Sequence, residues 1–369
     1  MDMEKLEAKY TGIGGCLRVP SVQDLARGPM ATIPPRYLRP GQDSPIISDT
    51  SSFPILPVID LRNLLSADLM NSELDKLHSA CKEWGFFQLI NHGVSSELLE
   101  EVKRGIDELF KLPFEEKQRL WQEPGDMQGF GQHFVVSEDQ KLDWADIFCL
   151  VSLPSPLRNP NLFSKLPITF RDTVLAYLAE VRSIVKVLLG HMAKALKMTE
   201  EEMKELFEGG MQTLRANYYP PCPQPELVIG LTPHSDAALL TVLLQLRDVQ
   251  GLQIRKDGIW IPVRPLPDAF IVNAGDSLEI ATNGIYKSIQ HRAVVNSERE
   301  RVSIAAFHSP NMGGELGPAH SLITPQTPAQ FKRVRVEEYY KRFMGSKLDQ
   351  KSNLDAMRIQ SSCKDGEDI

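Results

Sequence analysis

The sequence predicts a helical N-terminal half packed against a β-rich C-terminal half. Before residue 210, apolar residues recur at helical spacing over 95–112 and 170–198. After residue 210, short apolar segments alternate with turns such as Lys256-Asp257-Gly258. Short strands separated by regularly spaced turns are typical of an antiparallel barrel or jelly roll, whose interior can hold one ligand. We therefore expect a mainly β fold with helices.

The composition excludes several classes of protein. Among 369 residues, 41 Lys and Arg stand against 48 Asp and Glu, and the net charge of −7 argues against general nucleic-acid binding. We find no apolar run of about 18 residues and no secretory leader pattern, so we expect neither a membrane span nor secretion. Five scattered cysteines without a CxxC pair argue against a disulfide framework or zinc knuckle and favour the reducing cytoplasm.

Four regions follow from the distribution of proline, glycine and apolar residues. We expect an extended arm over 1–56, with a short helix near Val22–Arg27, because prolines and glycines interrupt regular structure there. A helical and strand region follows over 57–210, then a jelly-roll region over 211–325, and a C-terminal helix and tail over 326–369.

Individual elements are predicted within these regions. In the N-terminal half we expect strands over 56–60 and 86–90, and helices over 72–84, 95–112 and 170–198, with a capping box at Thr199 opening another helix. In the C-terminal half we expect strands over 213–218, 239–244, 252–255, 269–273, 288–295 and 303–307.

A set of metal ligands stands out in the β-rich half. In His234-Ser235-Asp236, residues i and i+2 of an extended segment point to one side, and 54 residues lie between Asp236 and His291. Two imidazoles and one carboxylate form the facial triad suited to Fe(II). Zinc would accept similar ligands, although structural zinc sites fill all four positions with protein groups. The alternative is a histidine hydrogen-bonded to a carboxylate without any metal.

A third element, Arg301-Val302-Ser303, begins ten positions after His291. The fork of the Arg301 guanidinium can bind a carboxylate through two hydrogen bonds, and the Ser303 hydroxyl can add a third. Arg301 could instead form a surface ion pair within the charged run 298–301, but the apolar run 304–307 indicates a strand entering the core. A buried arginine needs an anionic partner. A dicarboxylate that binds the metal at one end and Arg301 at the other meets both demands.

These residues together resemble the plant soluble 2-oxoglutarate- and Fe(II)-dependent dioxygenases. Further segments carry the likeness, which extends from about residue 17 to 358: 19–26, 57–61, 81–87, 91–94, 217–223 and 283–286. Segments 19–26, 129–132, 143–146 and 283–286 are most similar to the subgroup of the benzylisoquinoline-alkaloid O-demethylases and norcoclaurine-synthase-like dioxygenases. Ala237-Ala238 departs from the pattern of the alkaloid demethylases, which weakens any transfer of their particular substrates.

The resemblance implies a distorted jelly roll, the double-stranded β-helix, that holds Fe(II) through His234, Asp236 and His291. It implies that 2-oxoglutarate binds the iron and directs its far carboxylate to Arg301 and Ser303, with further contacts from Tyr219 and Asn217. O2 is then the second co-substrate and ascorbate the expected reductant. Ser235 stands where many members have Thr; strand alternation points it away from the metal, so the ligand set is unaffected.

The implied activity is hydroxylation or O-demethylation of a small aromatic specialised metabolite, such as an alkaloid, flavonoid or other phenolic, with succinate and CO2 as co-products. Such chemistry requires no protein nucleophile or general base. Oxidation of a plant hormone is one alternative, and a non-catalytic ligand-binding relative is another, against which the complete set of ligand residues argues. We expect a monomer acting on a small molecule, without nucleic-acid or membrane partners.

Three phenylalanines are candidate substrate contacts. Phe307, six residues after Arg301, matches the position where flavonoid-modifying members stack an aromatic substrate, and its alternative role is core packing. Phe130 and Phe148 lie in a glycine- and aromatic-rich segment that we expect near a pocket, and core packing is again the alternative.

Overall fold

The computed structural model describes residues 17–28, 32–41, 53–345 and 352–359. The predicted arm and the predicted C-terminal tail lie partly outside these residues. The helices are α1 Val22–Arg27, α2 Leu61–Leu64, α3 Met70–Ser79, α4 Ser96–Lys111, α5 Phe114–Arg119, α6 Pro160–Lys165, α7 Ile168–Leu196, α8 Glu200–Phe207, α9 Asp276–Ala281, α10 Val336–Met344 and α11 Ser352–Asp355.

The strands belong to two large sheets and one small one. They are β1 Val58–Asp60, β2 Phe86–Ile90, β3 Gly129–Gly131, β4 Asp146–Leu153, β5 Gly210–Tyr219, β6 Leu231–His234, β7 Leu240–Gln245, β8 Leu252–Lys256, β9 Ile259–Pro262, β10 Phe270–Ala274, β11 His291–Ala293, β12 Arg301–Asn311, β13 Glu315–Leu316 and β14 Val334–Arg335. The larger sheet has the order β1-β2-β10-β7-β12-β5-β4-β3, and a four-stranded sheet has the order β6-β11-β8-β9.

The two large sheets form the jelly-roll core that the sequence predicts. Phe86 and Ile271 of the larger sheet pack against Ile254 of the four-stranded sheet. The strands β1 to β4, from the N-terminal half, extend the larger sheet at both edges, so the two halves of the chain share one sheet. The helices α4 and α7 cover its outer face in a common core.

The predicted helices are confirmed with small shifts of their ends. In α4 the Ser95 hydroxyl caps the helix by accepting from the backbone N–H of Leu98, and the capping box at Thr199 opens α8. The helix predicted over 72–84 is α3 followed by a π-helical turn that ends at Gly85. The φ of Gly85 is +62°, a value that favours glycine. In the part of the chain that the structure describes, no helix is both long and apolar enough to cross a membrane.

Three elements around the interior escaped prediction. The strand β6 has only four residues and contains a proline, and β9 is equally short. The residues of α9 read as a turn after Gly275, but all six are buried, so no apolar face distinguishes the helix in sequence. The strand predicted over 288–295 is shorter, and His291 is its first residue.

The N-terminal arm is tied to the larger sheet by one carboxylate. Asp146 accepts hydrogen bonds from the Ser21 hydroxyl at 2.6 Å and from the backbone N–H groups of Val22 and Gln23 at 2.8 and 3.0 Å. A carboxylate at the N-terminus of α1 satisfies N–H groups that lack helical partners. Two of the segments that carry the family resemblance therefore meet in this contact.

Alternation along the central strands creates the interior surface. In β12, Val302, Ile304 and Ala306 face the helices and belong to the core. Arg301, Ser303 and Phe307 face the space between the two large sheets, since successive side chains of a strand point to opposite sides.

Candidate active site

The triad His234, Asp236 and His291 converges at one point between the sheets. His234 ends β6 and His291 begins β11, and the two residues pair directly in the sheet. The Nε2 atoms of His234 and His291 lie 3.5 and 3.7 Å from Oδ1 of Asp236. All three side chains are buried, and among the described residues they form the group whose ligand atoms lie close enough together to hold a metal ion.

Hydrogen bonds fix which atoms face this point. Nδ1 of His234 lies 2.7 Å from the carbonyl oxygen of Thr232, so it carries the proton and donates, and Nε2 keeps its lone pair. Nδ1 of His291 makes a longer contact, 3.3 Å, with a backbone carbonyl. Oδ2 of Asp236 accepts from Thr241 Oγ1 at 2.7 Å and from Asn273 Nδ2 at 2.8 Å. Oδ1 therefore remains available beside two imidazole nitrogens, which is the donor set of a facial metal site.

The protonation state also suits a metal. Burial alone would raise the pKa of Asp236, but His291, His234 and the hydrogen bond from Asn273 hold it below its ordinary value. Burial, with the neighbouring His234, lowers the pKa of His291 to about 4. At neutral pH the carboxylate is ionised and His291 is neutral, the forms in which these groups bind metals.

An inner cavity extends from the triad to Arg301, with Ser303, Tyr219 and Asn217 along its walls. Arg301 is 3% exposed. Its Nε and Nη2 atoms donate to Gln245 Oε1 at 3.3 and 3.2 Å. No carboxylate of the described residues forms an ion pair with it, so a buried cation faces the cavity with only neutral partners. This arrangement fits a ligand that carries a carboxylate at the far end of the cavity from the triad.

The strand register explains how the predicted residues come together. Arg301 pairs with Tyr219, and Ser303 pairs with Asn217, so all four side chains share one face. The Arg301 guanidinium lies 5.2 Å from the centre of the Tyr219 ring, and its Nη1 lies 3.5 Å from Ser303 Oγ. Asn217 also borders the cavity, but its Oδ1 accepts from Nε of Arg215 at 2.8 Å. One function of Asn217 is therefore to hold Arg215.

Gly251 supports Arg301 from behind. A Cβ atom at this position would lie 2.7 Å from Cδ of Arg301 and 2.8 Å from the carbonyl oxygen of Val294. We predict that Gly251→Ala displaces Arg301, raises the KM for 2-oxoglutarate several-fold and lowers the stability by about 1–3 kcal/mol. Steady-state kinetics and thermal unfolding would measure both effects. Gly190→Ala on α7, where a Cβ meets no atom within 4 Å, is the control and should change neither adversely.

An outer cavity lies on the other side of the triad. It shares Arg215, His234, Asp236 and Phe307 with the inner cavity. The rest of its wall is mainly apolar and includes Met127, Phe134, Met211, Phe343 and Met344. The triad thus stands between a cavity with a buried cation and a mainly apolar one.

Phe307 lies at the junction of the two cavities. It pairs in register with Thr241, whose hydroxyl donates to Asp236. The next residue, His308, is fully buried on the opposite face, where it contacts Gln212. This alternation agrees with the prediction that Phe307 faces the pocket and that His308 points away from it.

Phe130 and Phe148 lie elsewhere, in the core packing that was the alternative for both rings. Phe148 pairs with Ala216, whose side chain faces the helices, so Phe148 also points away from the cavities. It packs against Phe130, which packs in turn against Phe110 of α4. Neither ring borders the inner or outer cavity. Cys149, next to Phe148, faces the outer cavity because alternation reverses at each residue.

The sequence did not reveal several residues that complete the site. Thr241 and Asn273 orient Asp236, and Gln245 holds Arg301. Thr241 and Gln245 lie on β7 and Asn273 on the neighbouring β10, all on one sheet face, and only the tertiary pairing brings them to their partners. A polar residue inside an otherwise apolar strand, as at Asn273, was the one available signal.

Comparisons with known proteins agree with this geometry. Residues 210–310 match the model of the 2OG-Fe(II) oxygenase superfamily, and residues 56–165 match that of the non-haem dioxygenase in morphine synthesis N-terminal region. The first range contains the triad, Arg301 and Phe307, and the second contains β1 to β4.

Individual relatives cover nearly the whole chain. Oxoglutarate-dependent flavonoid 7-O-demethylase 1 of Ocimum basilicum is 52% identical over 97% of this chain and 98% of its own. Codeine O-demethylase of Papaver somniferum is 53% identical over 94% of this chain and 98% of its own. A crystal structure of JOX2 in complex with 2OG, Fe and JA superposes with a TM-score of 0.84 and 34% identity, covering 93% of this chain and 99% of that one. The protein therefore belongs to the 2-oxoglutarate- and Fe(II)-dependent oxygenases, and its iron site is the triad of His234, Asp236 and His291.

Proposed function

We propose that this dioxygenase hydroxylates or O-demethylates a small aromatic specialised metabolite, such as a flavonoid, an alkaloid or another phenolic. The observation that carries the proposal is the outer cavity, whose wall beside the triad is built mainly from aromatic rings and methionines. Aromatic and thioether groups favour flat apolar substrates, and methionine adapts to their outlines. The relatives named as flavonoid and codeine O-demethylases support this choice.

In this proposal the inner cavity binds 2-oxoglutarate and the outer cavity binds the substrate. When bound at the triad, Fe(II) supplies the coupling of 2-oxoglutarate decarboxylation, which gives succinate and CO2, to oxygen insertion into a substrate C–H bond. Arg301 and Ser303 hold the far carboxylate of 2-oxoglutarate, and Tyr219 packs beside the guanidinium. Phe307 presents a ring to the substrate at the junction. Hydroxylation of an O-methyl group gives a hemiacetal, which releases formaldehyde and leaves a free hydroxyl.

An activity screen tests the proposal. The purified protein would be incubated with Fe(II), 2-oxoglutarate, O2 and ascorbate, which we propose as reductant. The candidate substrates would be panels of methoxylated flavonoids, methoxylated alkaloids and aryl ethers that have no free hydroxyl group. We expect substrate-dependent succinate release. The product should either be heavier than the substrate by one oxygen atom, or be lighter by one CH2 unit and appear together with formaldehyde. Succinate formation without any change in these substrates would contradict the proposed substrate class.

A plant hormone acid is the second candidate substrate. Arg215 favours it, because its buried guanidinium borders the outer cavity and could pair with a carboxylate. Hormone acids therefore form a separate arm of the screen. Turnover confined to that arm would replace the first proposal. No succinate release with any panel would favour the non-catalytic alternative.

A further inference from the structure

Two polar side chains in the outer cavity have no role in the mechanism above. Arg215 lies on β5 and is 7% exposed. Its Nε donates to Asn217, while its two terminal nitrogens have no hydrogen-bond partner among the described residues. The Arg215 side chain lines the cavity. Its terminal nitrogens are donors without acceptors.

His133 borders the same cavity and supplies a hydrogen-bond acceptor, whereas Arg215 supplies donors. Its Nε2 lies 3.0 Å from the backbone carbonyl oxygen of Met127. A carbonyl only accepts hydrogen bonds, so Nε2 carries the proton and Nδ1 of the neutral ring is an acceptor. Burial, followed by the charge of Arg215, lowers the pKa of His133 to about 3, which keeps the ring neutral at neutral pH. Nδ1 has no partner within the described ranges.

We propose that His133 and Arg215 form a recognition pair for two adjacent oxygen atoms on an aromatic ring of the substrate, which deepens the proposed function and rests on it. A ring hydroxyl donates to Nδ1 of His133, and the neighbouring hydroxyl, ether or carbonyl oxygen accepts from Arg215. The pair therefore selects catechol-like and hydroxy-methoxy rings. His133 is a specificity-determining residue of this chain.

The pair discriminates against a simple carboxylate. A carboxylate offers acceptors only, so one bound to Arg215 would turn a lone pair towards Nδ1 of His133, and the two acceptors would repel. A hydroxyl next to an acceptor oxygen satisfies both side chains at once. The polar pair thus favours an oxygenated aromatic ring over the hormone acid considered above.

Binding measurements can test this independently of turnover. Isothermal titration calorimetry without O2 would use the protein loaded with Fe(II) and 2-oxoglutarate. The two probes are 3′,4′-dihydroxy-7-methoxyflavone, which has vicinal hydroxyls, and 7-methoxyflavone, which lacks them. We expect the wild type to bind the dihydroxy probe at least about 30-fold more tightly, the worth of one neutral hydrogen bond with His133 and one with the charged guanidinium of Arg215.

His133→Phe keeps a ring of similar size but removes the acceptor, so the preference should fall by about three- to tenfold while 7-methoxyflavone binds as before. The part of the preference that comes from Arg215 should remain. His133→Gln, which retains an acceptor oxygen, should keep more of the preference than His133→Phe. His320→Phe, at an exposed histidine outside the cavity, is the matched control and should keep all of it. An undiminished preference in His133→Phe would overturn the proposal, and so would an equal loss of affinity for both probes, which indicates lost packing.

The outcomes also separate this inference from the proposed function. If the flavones are turned over without the expected preference, the pair is wrong and the proposed function stands. If the preference is present and is reduced in His133→Phe, but neither flavone is turned over, the pair stands and the proposed reaction is wrong. If neither flavone binds, the recognition pair is overturned.

Discussion

Asp236→Asn should abolish turnover while leaving the protein folded. The amide has the shape of the carboxylate and can still accept a hydrogen bond from Thr241, so the buried packing is retained. It lacks the negative charge of the carboxylate. In the triad only Asp236 can supply that charge, because the other two ligands are imidazoles. We expect iron affinity to fall by at least about 100-fold, since even the loss of a group that only orients a ligand costs about 10- to 100-fold.

Iron content after dialysis against a weak chelator, succinate release and the circular dichroism melting curve would measure these effects. Asp172→Asn makes the same change at an exposed position on α7 and should leave all three unchanged. Substantial iron-dependent activity in Asp236→Asn would show that the triad is wrongly assigned.

Arg301→Lys should raise the KM for 2-oxoglutarate by about 30- to 100-fold, with a smaller effect on kcat. A lysine ammonium is a compact point charge that cannot make the two parallel hydrogen bonds of a guanidinium. It also cannot keep both contacts with Gln245 and the stacked position beside Tyr219. The carboxylate of the bound co-substrate would therefore be held by a weaker, less oriented cation in a buried site.

Initial rates over a range of 2-oxoglutarate concentrations would measure the change. Arg104→Lys, at an exposed position on α4, is the matched control.

A second comparison uses 2-oxopentanoate, which has the same carbon chain as 2-oxoglutarate without the far carboxylate. The wild type should use it poorly, and Arg301→Leu should lose most of the discrimination between the two acids. An unchanged KM in Arg301→Lys would remove Arg301 from the co-substrate site.

The reactive centre could be predicted from the sequence because its residues come as two short clusters and one separate histidine. Alternation along a strand places Arg301, Ser303 and Phe307 on one side, and that inference needs no tertiary structure. The same rule could not decide from the sequence which face Phe148 occupies. Its side is set by its pairing with Ala216, and a sequence does not show which strand lies beside which.

The supporting residues could not be predicted for a related reason. Gln245 and Asn273 are polar residues in mainly apolar strands, and their partners lie 56 and 37 positions away in the chain. His133 and Arg215 are separated by 81 residues. His133 lies in a segment of turns, where no helical or strand periodicity indicates which way a side chain points. Such residues acquire their roles from strand pairing and from loop paths, which local patterns do not encode.

The two cavities are built from different kinds of chain segment. The far end of the inner cavity is formed by paired strands, where Arg301 and Tyr219 are neighbours in the ladder. Much of the outer wall comes from the connection between β3 and β4, which carries His133 and Phe134, and from the end of α10, which carries Phe343. Substitutions in those segments can reshape the proposed substrate cavity without disturbing the hydrogen-bonded ladder of the proposed co-substrate site. The architecture therefore lets new substrate ranges evolve on an unchanged oxidation machinery, one wall residue at a time.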